Sequence, residues 1–88
     1  MIIGVNRVYE HDGKQFHVQA EDLGVDQACF EIRVYERGSV LWRKQVRYDE
    51  LLQKQLPKAE LEEALRGLME RTVHTVQAAI AKGKLVAG

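Results

Sequence analysis

Residues 28–48 read ACFEIRVYERGSVLWRKQVRY, two runs of alternating character hinged on Glu36, Arg37 and Gly38. Alternation with a period of two is the mark of a strand with one covered face, and two such runs joined by a short polar, glycine-containing turn predict an antiparallel hairpin. With Glu36-Arg37 in a type I turn and Gly38 in the left-handed bulge position, Tyr35 pairs with Ser39. Val34 then faces Val40, Ile32 faces Trp42 and Ala28 faces Val46 on an apolar side. Glu31 faces Arg43 and Cys29 faces Gln45 on a polar side. Phe30 meets Lys44, whose alkyl stem would pack at the rim with its ammonium in water.

Working outward, Ile3, Val5 and Tyr9 alternate before His11-Asp12-Gly13, and Phe16, Val18 and Ala20 alternate after it. Asp-Gly tolerates positive φ, so a second hairpin is predicted here. A two-residue turn pairs Tyr9 with Phe16, whereas a bulged three-residue loop pairs Val8 with Phe16 and turns the first strand over. Arg7 falls awkwardly on the covered side in the first register. Past Tyr48 the period changes. Asp49 to Lys54 reads as one or two helical turns with Asp49 as N-cap, and Pro57 breaks it. Leu61, Leu65, Leu68, Thr72, Val76, Ala79 and Ile80 then recur at three and four, widened by Met69 and Val73, with Glu60, Glu62 and Glu63 early and Gly83 as the stop.

The expected fold is α+β in two layers: a four-stranded antiparallel meander (about 2–10, 14–22, 27–35 and 39–48), a short helix (about 49–55) and a long C-terminal helix (about 58–82) packed on one sheet face. At 1.5 Å per residue that helix is about 37 Å long against about 27 Å for a strand, so it should overhang its sheet. The stripe through Val76 and Ile80 would then cover the linker helix or meet a second copy, which predicts a homodimer. Gly67 in mid-helix costs about 1 kcal/mol relative to alanine. It marks either a close backbone approach or a tolerated defect.

The 88 residues make one domain, with 45% hydrophobic and 30% charged side chains, an ordinary globular balance. The single cysteine, Cys29, allows no internal disulfide, no leader pattern opens the chain, and no apolar run approaches the roughly 20 residues of a membrane span. A cytoplasmic protein with no membrane role is expected. Thirteen Lys and Arg balance thirteen Asp and Glu, so no overall field draws in nucleic acid or lipid. The distribution is uneven: residues 1–26 hold two basic and five acidic side chains, residues 27–58 seven basic and four acidic.

The stretch Phe16-His17-Val18-Gln19-Ala20-Glu21-Asp22-Leu23-Gly24, with Arg47-Tyr48-Asp49-Glu50-Leu51-Leu52 and the leucine-rich helix after it, resembles an uncharacterised group of small bacterial sheet-plus-helix domains with an F-H-V-Q-x-E-D-x-G motif. The resemblance covers most of the chain and departs at Ala20, where the group has threonine. It implies no activity and no catalytic or binding residues. In strand and helix order alone the chain is similar to the repeats of PUR-type single-stranded nucleic-acid binders, and fold does not imply function.

Candidate chemistry is sparse. His17 and Cys29 on neighbouring strands would be the start of a thiolate site, but no orienting acid or oxyanion element accompanies them, and a half-exposed strand cysteine explains Cys29. His11, Asp12, His17, Glu21, Asp22 and Asp26 are donors without zinc or calcium spacing. His74 fits a solvated helix face. Neither catalytic residues, a metal site nor a cofactor is therefore expected, and the chain reads as a non-enzymatic interaction domain that self-associates and binds a protein partner. The stronger signal is the outer face of the second hairpin, where Arg33, Tyr35, Arg43 and Arg47 combine cations with a ring. Single-stranded nucleic acids bind such surfaces, and this is the alternative reading. Against it, the predicted register sends Trp42 inward and places Glu31 among the arginines, as in a solvated face with weak ion pairs.

Overall fold

The structure, a computed structural model, describes residues 3–84. It contains β1 (Gly4–His11), β2 (Lys14–Asp22), β3 (Cys29–Glu36), β4 (Ser39–Arg47), α1 (Asp49–Gln53) and α2 (Lys58–Ala81). The strands form one antiparallel sheet in the order β1-β2-β3-β4. This is the expected α+β meander with a short and then a long helix. Strand and helix ends shift by one or two residues, and residue 2 of the predicted first strand lies outside the described residues.

The first hairpin takes the two-residue register, Tyr9 opposite Phe16 and His11 opposite Lys14. Asp12 and Gly13 both adopt positive φ, 52° and 76°. Two left-handed residues make the turn whose twist matches the flanking strands. Arg7 accordingly lies on the covered side opposite Val18, but β1 is an edge strand, and Arg7 reaches out to Glu70 on α2 at 2.7 Å. Both side chains are more than 40% exposed, so the pair orients the helix more than it stabilises it.

The second hairpin departs from the predicted register. Arg37 and Gly38 are both left-handed (φ 54° and 79°), so its turn also has two residues, and Glu36 pairs with Ser39 and Tyr35 with Val40. A bulge then inserts Leu41, after which Val34 faces Trp42, Arg33 faces Arg43, Ile32 faces Lys44, Phe30 faces Val46 and Cys29 faces Arg47. Every predicted pairing of this hairpin thus moves by one or two residues. Beyond the bulge the shift is two, so those side chains keep their predicted faces. Before it the shift is one, so Val40 turns outward and is 53% exposed. Leu41 and Trp42 both pack against the core, because the extra residue of the bulge lets two successive side chains serve one face.

One file per strand builds the core: Val5, then Phe16, Val18 and Ala20, then Phe30, Ile32 and Val34, all buried. Helix α2 closes it with Leu65, Met69, Val73, Val76 and Ile80. It lies over β1 and β2, and no residue of β4 is fully buried. Val76 and Ile80 are 6% and 5% exposed, and Ile80 reaches Phe16 and Leu41 near the hairpin turns. The stripe expected to overhang is therefore spent on the chain's own core, since α2 is buried along its length from Leu65 to Ile80. Its end is a Schellman motif: Lys84 N–H donates to Ala79 and Gly83 N–H to Ile80, with Gly83 at φ 68°. Asp49 is not the N-cap of α1, whose cap position is Tyr48; its carboxylate accepts from Arg47 instead.

Gly67 marks no close backbone approach within the chain. A Cβ added there would meet, nearest, Nη1 of Arg71 at 3.3 Å, the free end of a flexible side chain. Gly67→Ala should therefore raise stability by about 1 kcal/mol, read as a higher midpoint in urea unfolding. A lowered midpoint would mean that the glycine is needed where it stands.

Candidate functional site

The side of the sheet away from α2 is where the candidate residues fall. Strand pairing arranges it in transverse rows. Val8, His17, Tyr35 and Val40 form one, followed by Asn6, Gln19, Arg33 and Arg43, and then Gly4, Glu21, Glu31 and Gln45. Arg47 comes next, opposite Cys29. Arg33, Tyr35, Arg43 and Arg47 therefore share one face. Their order differs from the prediction in one respect: Arg43 lies opposite Arg33, not Glu31.

Much of the positive charge on this face is already engaged. Arg33 donates to Glu31 and, through Nη1, to the Tyr35 hydroxyl at 3.4 Å. These bonds push the Arg33 guanidinium further up, and the Arg33 bond holds the Glu31 carboxyl below its ordinary range. Arg47 donates from Nε and Nη2 to the two Asp49 oxygens at 2.7 and 2.9 Å, raising Arg47 and lowering Asp49. Among the described residues Arg43 makes no ion pair, and neither do Glu10 and Glu21 across the sheet. Trp42 faces the core and is half-buried, so Tyr35 is the one aromatic ring on the outer face of β3 and β4.

The other sequence candidates separate. Cys29 is buried at 4% exposure and sits six residues along β3 from Tyr35, the strand partner of His17. At about 3.3 Å per residue the thiol and imidazole are some 20 Å apart, so they make no catalytic pair. Among the described residues no three His, Cys, Asp or Glu side chains cluster closely enough to hold a metal ion. His74 is exposed on α2.

One polar contact escaped the sequence reading. The Tyr48 hydroxyl donates to Asp22 Oδ1 at 2.6 Å, and the Gly24 N–H donates to the same oxygen at 3.0 Å. Burial first, and the bond to Asp22 second, push the Tyr48 hydroxyl above its ordinary value. The signal was present: Asp22 continues the core file of Phe16, Val18 and Ala20, where an acid needs a partner. In the F-H-V-Q-x-E-D-x-G stretch, Phe16, Val18 and Ala20 are thus core, Asp22 ties the loop and Gly24 takes a φ of 103°. His17, Gln19 and Glu21 point outward and are exposed.

Two recesses flank the sheet, the first of them reaching the Arg47 end of this face. One of about 390 Å3 opens beside α1, lined by Arg47, Asp49, Leu51, Lys54, Leu68 and Arg71. The other, about 280 Å3, lies between the β2–β3 loop and the start of α2, with Ile3, Tyr48, Leu61 and Leu65 in its wall. No family model, curated protein or solved structure matches the chain. Among the described residues no helix is long and apolar enough to cross a membrane.

Proposed function

We propose that this chain is a non-catalytic interaction domain that works through the open face of its sheet, and that the class of molecule it takes there is protein. The observation that carries this is the row Val8, His17, Tyr35 and Val40. Its two ends are large aliphatic side chains more than half exposed, on the two edge strands, with His17 and Tyr35 between them on β2 and β3. A row with an aromatic ring near its centre and an exposed aliphatic side chain at each end offers apolar area among polar neighbours, as association surfaces do. A cytoplasmic setting goes with the proposal, since the one cysteine is buried and has no second cysteine to join.

Single-stranded nucleic acid is the runner-up and has less support. Arg33 and Arg47 are held by Glu31 and Asp49, which leaves Arg43 and one ring where stacking sites string several rings along a basic groove. A photo-reactive benzophenone side chain in place of Gln19, at the centre of the face, should give covalent adducts with protein in the native host. The same group in place of His74, on the far side of α2, should not. Absence of protein adducts at position 19, or identical adducts at both positions, overturns the proposal, and adducts with nucleic acid would install the runner-up.

A further inference from the structure

We infer that the occupant of the open face is a second copy of the chain, stacked sheet to sheet about a two-fold axis parallel to the strands. This rests on the reading of the face as a protein-binding surface and names its partner.

The charge pattern selects the arrangement. On the outer side of β1 and β2 the charged residues are Glu10 and Glu21, with no lysine or arginine; on β3 and β4 they are Arg33, Arg43 and Arg47 against Glu31. With Arg33 and Arg47 held by Glu31 and Asp49, the first half keeps two carboxylates and the second one cation, Arg43, without an ion pair among the described residues, so the halves differ in the sign of their net charge. Two copies facing one another have two simple two-fold arrangements. An axis across the strands lays β1 on β1, acid on acid. An axis along the strands lays the acidic hairpin of each copy on the basic hairpin of the other, as an isologous contact requires.

The second arrangement also matches the rows. Val8 comes over the partner's Val40, and His17 over the partner's Tyr35, so the two exposed valines cover each other and the rings stack between them. Asn6 comes over the partner's Arg43, the arginine on the outer side of β3 and β4 that makes no ion pair among the described residues. Glu21 comes over the partner's Glu31, whose charge Arg33 already neutralises. Four strands at about 4.8 Å and a length of about 27 Å give a footprint of roughly 500 Å2 per copy, hence roughly 1,000 Å2 for the pair, the lower bound of a specific interface. Aligned sheets of this kind pack about 10 Å apart at about −30°.

Sedimentation of the full chain from about 1 µM to about 1 mM should show a concentration-dependent dimer. Val8→Glu and Val40→Lys should each weaken it by about ten-fold or more, with unchanged far-UV circular dichroism, since both side chains stand on the surface. Mixing the two variants should restore association, because one of the two symmetric contacts then sets a carboxylate against an ammonium while the other keeps both valines. A strict monomer at the highest concentration overturns the inference, as does a dimer that neither substitution weakens, or a mixture no tighter than its components. A monomer accompanied by adducts at position 19 with other proteins fails this inference alone. A monomer without protein adducts there fails the broader proposal as well.

Discussion

Phe30→Ala lowers the unfolding free energy by about 3–5 kcal/mol, a large part of the roughly 4–13 kcal/mol that a chain of this length commands. Phe30 is 0% exposed and is among the largest of the fully buried side chains, in one cluster with Ile32, Val18, Met69 and Val73. Removing its ring opens a cavity that a sheet on one side and a helix on the other cannot collapse into, so the loss exceeds simple transfer. Urea unfolding followed by far-UV circular dichroism and by the fluorescence of Trp42 measures it; Trp42 is the chain's one tryptophan and packs against this core. A loss below about 1 kcal/mol would mean that Phe30 does not belong to this core.

Tyr48→Phe is the second large effect, about 1.5 kcal/mol at neutral pH, the lower end for a hydrogen bond to a charged group. The lower end applies because Asp22 is half-buried and keeps the Gly24 N–H. Its pH dependence distinguishes it from a packing defect. The Tyr48 hydroxyl is raised in the folded chain, by burial before hydrogen bonding, so the unfolded chain loses this proton first. The contribution is therefore whole below about pH 10 and is lost as pH rises from the unfolded tyrosine value towards the higher folded one, with a limiting slope of about 1.4 kcal/mol per pH unit. Wild type should lose stability there and Tyr48→Phe should not lose this share, so the gap between them narrows from pH 8 to about pH 11. A gap that stays constant over that interval contradicts the buried hydroxyl.

What could be read from the sequence was decided by period, and what could not was decided by turns. The core files of β2 and β3 follow from alternation alone, and the stripe of α2 from spacing by three and four. The file that failed is that of β4. Val40-Leu41-Trp42 places three apolar residues in a row; a strict period of two puts Val40 and Trp42 together, whereas one extra residue in the strand sends Leu41 and Trp42 to the core and leaves Val40 outside. Which residue becomes the extra one depends on whether Arg37 accepts a left-handed conformation, a small energy difference that no pattern displays. The outer face shows the same limit: alternation places Arg33, Tyr35, Arg43 and Arg47 on it, as the pairing does, but sends Val40 to the core, where the structure has it outward and 53% exposed. The ion pairs of Arg33 and Arg47 were likewise hidden, because each joins a residue two positions along the chain by a side-chain rotamer.

The order β1-β2-β3-β4 has a consequence for biosynthesis. Every strand pairs with its neighbour in sequence, so the sheet can assemble as the chain emerges, with short loops to close. The helix that covers it comes last, and its tie to β1 joins residues 63 positions apart. At 5–20 residues per second, adding the 24 residues of α2 takes about one to five seconds. For that interval a nascent sheet offers water an apolar surface on its core side and the valine row on the other. The arrival of α2 is therefore the step that takes the core side of the sheet out of water.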